Sequence, residues 1–139
     1  MKTFVLDTNA VITYFDDAEG SDKVESALKA AESRTAAVFM SAINLGEVFY
    51  VTWKKNGESE ARLRTRQIIA SPITIIPADL SETLRAAEVK AKFRCSYADA
   101  FAASLAISKR ATLVTADPDF RKLGDKLRII WLPGHKSVQ

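Results

Sequence analysis

Thr3-Phe-Val-Leu-Asp-Thr-Asn9, continued by Val11, Ile12, Tyr14 and Phe15, is a short apolar run stopped by turn formers and followed by apolar residues at helical spacing. An apolar run without alternation reads as a strand buried on both faces, as in a parallel sheet covered by helices. The same unit recurs along the chain. Ala37–Met40 reads as a second strand, and Ser41 caps a helix from Ala42 to Lys54 that ends at Asn56-Gly57. Ile73–Ile76 is a third strand, followed by helices over Leu80–Phe93, begun by Asp79 or Ser81, and over Tyr97 to Lys109. Thr112–Thr115 is a fourth, after which Asp117-Pro118 opens a short helix, and Arg128–Leu132 is the fifth. A loop over Asp16–Gly20 precedes a helix capped by Ser21 or Asp22, with Val24, Ala27, Leu28 and Ala31 on one face. Glu58–Ala70 reads as a basic helix offering Leu63 and Ile69 to the core. The alternation predicts an α/β domain over residues 1–132, with three α/β/α layers around a parallel sheet of about five strands, and a tail over residues 133–139.

Composition narrows the chemistry. Of 139 residues, 47% are hydrophobic and 27% charged, as in a globular protein with a real core. One cysteine, Cys95, excludes an intrachain disulfide, and one histidine, His135 in the tail, excludes two-histidine and Cys/His metal sites. The 5 glycines are too dispersed for a phosphate loop or a dinucleotide fingerprint. The first residues lack the apolar run of a secretory signal, and no stretch approaches the roughly 20 apolar residues of a bilayer span; the expected compartment is the cytoplasm. Residues 1–50 hold 4 Lys/Arg against 8 Asp/Glu, whereas residues 51–139 hold 16 against 9. That polarity points to an anionic partner along the later part of the chain, with solvated helix faces as the alternative.

Carboxylates are the reactive groups in supply. Open parallel sheets bind ligands beyond the carboxyl ends of their strands. Asp7 follows the first strand, Asp117 follows the fourth, Glu47 lies in the second turn of the helix leaving the second, and Asp99 lies in the first turn of the helix leading to the fourth. A parallel sheet therefore brings all four to one rim. Asp7, Asp99 and Asp117 each have a capping or turn role as an alternative. Glu47, on a largely apolar helix, needs a partner: Arg, Lys or a metal. Carboxylates so gathered repel one another, and Mg²⁺ or Mn²⁺ removes that penalty and activates water. Hydrolysis of a phosphodiester is the reaction class that follows, with Asp7, Glu47, Asp99 and Asp117 as both metal ligands and catalytic residues. Asn9, Thr8, Asn44 and Thr115 are placed to orient them, Asp119 is an outer ligand or a first-turn acid, and Gly46 beside Glu47 hints at close packing there.

Four stretches, Val5-Leu-Asp-Thr-Asn-Ala-Val-Ile12, Ser41-Ala-Ile-Asn-Leu-Gly-Glu-Val48, Tyr97-Ala-Asp-Ala-Phe-Ala-Ala-Ser104 and Leu113-Val-Thr-Ala-Asp-Pro-Asp-Phe120, together resemble the PIN-domain ribonucleases, most closely the small VapC-type toxins of toxin–antitoxin pairs. The resemblance implies a Mg²⁺- or Mn²⁺-dependent endoribonuclease with Asp7, Glu47, Asp99 and Asp117 as its acidic ligands and Asn9, Thr115 and Asp119 as accessory positions. It also implies a homodimer, neutralised by a small antitoxin and cutting tRNA or ribosomal RNA. Two basic clusters then become candidate RNA contacts: Lys54, Lys55, Arg62, Arg64 and Arg66, and Arg85, Lys90, Lys92 and Arg94, with Arg62, Arg66, Lys92 and Arg94 the residues singled out. Helical ion pairs, such as Glu58 with Arg62 or Glu88 with Lys92, are their alternative use. Tyr14, Phe15, Phe49, Tyr50 and Trp53 exceed the needs of a small core, and some would serve a partner groove or a dimer seam. Two other readings stay open: a non-catalytic RNA- or protein-binding module, and a metal-dependent phosphatase or DNA nuclease.

Overall fold

The computed structural model describes residues 1–134; His135 and the tail beyond it lie outside the described residues. Five strands, β1 (Lys2–Leu6), β2 (Ala36–Ser41), β3 (Thr74–Ile76), β4 (Thr112–Thr115) and β5 (Arg128–Trp131), form one sheet in the order β3-β2-β1-β4-β5. Every pairing is parallel. Helices α1 (Thr8–Phe15) and α2 (Ser21–Glu32) join β1 to β2, α3 (Ala42–Asn56) and α4 (Glu58–Ala70) join β2 to β3, and α5 (Leu80–Lys92) and α6 (Tyr97–Lys109) cross back to β4. A 3₁₀ segment, Pro118–Lys126, leads into β5.

The chain first winds outward from β1 to β3 and then returns to the other side of β1, so right-handed crossovers put the two sets of helices on opposite faces. Packing follows that rule. Leu6, Val38, Met40 and Val114 meet Val11, Val24, Val48 and Ile68 in one core. Val5 and Leu113 meet Ala86, Val89, Phe101 and Phe120 in the other. Adjacent residues Val5 and Leu6 are both fully buried, into different cores, because successive side chains of a strand leave opposite faces of the sheet. The arrangement is the three-layer α/β/α fold expected from the alternation. Its direction reverses between β1 and β4, where a crevice opens beyond the strand ends.

Several local expectations are corrected. The cap of α2 is Gly20 (φ 97°), not Ser21 or Asp22, and a Cβ at Gly20 would lie 2.7 Å from Pro133 Cδ, so the left-handed turn and the close approach both require glycine. Leu63 and Ile69 are 40% and 64% exposed, because α4 faces the core with Ala61, Arg64 and Ile68 instead. Arg64 is buried by pairing with Asp16 at 3.0 Å and Glu60 at 2.8 Å while its guanidinium covers the Phe15 ring. The Glu58–Arg62 pair forms at 2.8 Å, whereas Glu88 and Lys92 are not paired. Gly46 is exposed with nothing within 4 Å of a Cβ, so the expected close packing is absent. Gly46→Ala is accordingly expected to stabilise the protein by about 1 kcal/mol, read as a rise of a few degrees in a thermal melt.

Candidate active site

The register of β1 on β4 sets Leu6 beside Val114, and the next residues, Asp7 and Thr115, therefore emerge together at the switch point. Asp7 is only 3% exposed. Its Oδ1 caps α1 by accepting from the Ala10 N–H at 2.8 Å, and its Oδ2 accepts a short hydrogen bond from Thr115 Oγ1. Thr115 Oγ1 in turn accepts from the Asp117 N–H at 2.9 Å, and Asp117 Oδ1 caps the 3₁₀ segment through the Asp119 N–H at 2.9 Å. The capping roles considered for Asp7 and Asp117 are thus real. They fix the orientation of each carboxylate without using all of its oxygen lone pairs.

Asp99 enters from the first turn of α6, which Ser96 caps by accepting from the Asp99 N–H at 3.1 Å. One carboxylate oxygen from each of Asp99, Asp117 and Asp119 lies within 4.8 Å of the others. Glu47, half-buried in the second turn of α3, has no Lys or Arg within 4.0 Å among the described residues; the cationic partner considered for it is not there. A cleft of about 480 Å³ is lined by Asp7, Glu47, Asp99, Asp117 and Asp119, together with Thr8, Asn9, Ser96, Lys54 and Lys55.

Electrostatics register this crowding. Burial, reinforced by Asp117 and Glu47, raises the Asp7 carboxyl to about 7 even though the Thr115 and Ala10 hydrogen bonds pull it down. Burial, then the charges of Asp117, Asp7 and Glu47, raises Asp99 to about 7 as well, with Ser96 opposing. An all-oxygen set of donors, two of which (Asp7 and Asp99) hold protons near neutrality, suits a hard divalent cation, which displaces those protons and cancels the repulsion.

All seven acidic and accessory positions singled out in the sequence are placed at or beside this cleft: Thr115 bonds Asp7, and the other six line it. The basic residues singled out are elsewhere. Arg62 pairs with Glu58 and stacks on Phe49 and Trp53, and Lys92 lines a separate hollow with Arg85 and Glu88. Arg66 and Arg94 are exposed outside the cleft. The cations lining the cleft are Lys54 and Lys55, about two helical turns after Glu47. Both belong to the first basic cluster named in the sequence, and helical spacing puts them on the face of α3 that carries Glu47 and Val51.

Comparison with known proteins reaches the same fold. The family model described as PIN domain matches residues 4–126. No curated protein matches the chain. Among solved structures, the chain is similar to VapBC2 from Rickettsia felis, solved with a DNA fragment from its promoter (21% identity, 94% of this chain and 98% of that one, TM-score 0.71). It is also similar to DNA-bound VapBC from Salmonella typhimurium (19%, 94% and 98%, TM-score 0.72). A third is VapC20 from Mycobacterium tuberculosis, a sarcin–ricin loop cleaving toxin (15%, 87% and 95%, TM-score 0.69).

Proposed function

The chain belongs to the PIN-domain family, and on that premise we propose that it is a Mg²⁺- or Mn²⁺-dependent endoribonuclease, the toxin of a toxin–antitoxin pair, acting in the cytoplasm on tRNA or ribosomal RNA. The observation that carries this reading is the meeting of Asp7, Glu47, Asp99 and Asp117, from four separate parts of the chain, in one cleft. Topology alone gathers the helix caps Asp7 and Asp117 at this rim, but Glu47 caps nothing and has no Lys or Arg within 4.0 Å among the described residues, and a metal ion gives it a partner. A divalent ion bound there supplies Lewis acidity toward a phosphoryl oxygen and lowers the pKa of water. The chain's residues prepare for it. Thr115 and the Ala10 N–H fix the Asp7 carboxylate, Asp117 is held by the turn it caps, and Asp119 and Asn9 border the same space. Sarcin–ricin loop cleavage by the M. tuberculosis neighbour is in keeping with a structured RNA target.

Two surfaces support the partners. Tyr14 and Phe15 line a hollow of about 420 Å³ with Leu28 and Ile68 and with the charged Glu25, Lys29 and Glu32, a mixed surface that suits an antitoxin segment. Ile43, Tyr50 and Trp53 lie exposed along α3, a stripe suited to a homodimer seam. No helix among the described residues is long and apolar enough to cross a membrane.

Antitoxin-free protein incubated with total tRNA and ribosomal RNA in Mg²⁺ or Mn²⁺ should produce discrete new RNA ends that disappear with EDTA; folded, metal-loaded protein that cuts neither would overturn the reading. RNA phosphates are taken first by Lys54 and Lys55 in the cleft, with Arg62, Arg66, Lys92 and Arg94 as outlying contacts. In an Asp99→Asn background that does not cleave, removing both cleft lysines should weaken RNA binding and reduce its salt slope by about 0.7 for each phosphate no longer neutralised. Fluorescence anisotropy across a salt series reads this, and an unchanged slope discards the assignment.

A further inference from the structure

We propose that Asn44 is a positioning residue, holding the three chain segments that carry Asp7, Glu47 and Asp99 at the spacing a divalent ion needs; this rests on the metal-site reading above. Asn44 is in the first turn of α3 and only 1% exposed. Its Nδ2 donates to Thr8 Oγ1 and to the Ala98 carbonyl, both at 3.2 Å, and Thr8 Oγ1 donates back to the Asn44 carbonyl at 3.3 Å. Thr8 directly follows Asp7, Ala98 directly precedes Asp99, and Glu47 is three residues along the same helix from Asn44. One amide therefore ties together the starts of α1, α3 and α6, each bearing a carboxylate that faces the others.

Two features separate this role from that of an ordinary core polar residue. Its two donated bonds fall on the residues next to Asp7 and Asp99, whose carboxylates line one cleft with Glu47, so they act where the spacing of those carboxylates is set. Moreover, Asn44 Oδ1 is buried with no hydrogen-bond partner among the described residues. The Ala98 carbonyl can only accept, which fixes the NH₂ toward it and leaves the oxygen unpaired. A buried unpaired acceptor destabilises the fold, and an apolar side chain of similar size would avoid it. What the amide supplies in place of such a side chain is its two donated bonds.

Calorimetric titration of Mn²⁺ into metal-free wild type, Asn44→Leu, Thr8→Val and the double variant tests this. Loss of a group that orients metal ligands typically weakens metal affinity by about 10–100-fold, and that loss is expected for Asn44→Leu. Thr8→Val, which removes both bonds between Thr8 and Asn44 and leaves the Ala98 bond, should also lose affinity, and the double variant, which removes all three bonds, should be the weakest. In RNA cleavage, the apparent Mg²⁺ constant of Asn44→Leu should rise by the same factor, with KM for RNA unchanged. Wild-type affinity in a folded Asn44→Leu, with only a lower melting temperature, would overturn the proposal. Should that variant not fold, Thr8→Val decides: a several-fold loss supports it and wild-type affinity overturns it. Wild-type protein that binds no divalent ion would overturn the metal site itself, and the positioning role with it.

Discussion

Asp99→Asn is expected to lower RNA cleavage by on the order of 10³-fold, the scale seen when a preorganised electrostatic group is removed from an active site, and at the same time to raise the melting temperature of the metal-free protein. Both signs follow from one geometry. Asp99 is partly buried and faces Asp117, Asp7 and Glu47, whose charges add to burial in raising its pKa to about 7. Asparagine keeps the shape and removes one member of that repulsion, but provides a poor ligand for a hard cation. A purely local role predicts the reverse. As a first-turn acid of α6, Asp99 would favour the helix dipole, so its loss would lower stability by about 0.3–1 kcal/mol and leave cleavage intact. Cleavage rates beside melts in EDTA separate the two.

The second large effect couples pH to metal. Asp7 has an ordinary value of 3.8 and is raised to about 7 by burial, by Asp117 and by Glu47. The folded protein thus holds this proton more tightly than the unfolded chain. The stability it contributes is fully present below the unfolded pKa and is lost as pH rises through the folded one, a change on the order of 4 kcal/mol for this group. Asp99 adds in the same direction over the same window. In EDTA the melting temperature should therefore decline between about pH 4 and 7 through these two groups. Mg²⁺ should restore it at pH 8 and do little at pH 5, where protons already occupy Asp7 and Asp99. Cleavage should rise through about pH 7 as the ligands are freed. Scanning calorimetry across pH, with EDTA and with Mg²⁺, reads the effect; equal stabilisation by Mg²⁺ at pH 5 and pH 8 would contradict it.

The layout of β1–β5 was legible because each strand is a short apolar run ended by a cap or turn former. Asp7, Ser41, Asp79, Ser96 and Asp117 all cap the helical segments expected after them. Once the strands are parallel, convergence of the four carboxylates is a consequence of topology, and the cleft contains them. What the residue pattern obscured was side-chain environment. Arg64 sits between Arg62 and Arg66 in a run that looks uniformly solvated, yet three-dimensional neighbours Asp16, Glu60 and Phe15 bury it. Leu63 and Ile69 look like core residues by composition, but the direction in which α4 faces the sheet leaves them outside. Lys54 and Lys55 stood in one basic cluster with Arg62, Arg64 and Arg66, and nothing in the residue pattern set them apart from it. Only the approach of α1, α6 and the Asp117 turn makes them part of the cleft.

That the carboxylates hold a divalent ion is tested most directly by adding Mn²⁺ to metal-free protein and following the free ion by electron paramagnetic resonance, for wild type beside Asp99→Asn and Asp117→Asn. The wild type should take up Mn²⁺ and both variants should leave it in solution. Equal uptake by all three, or none by the folded wild type, would contradict the assignment.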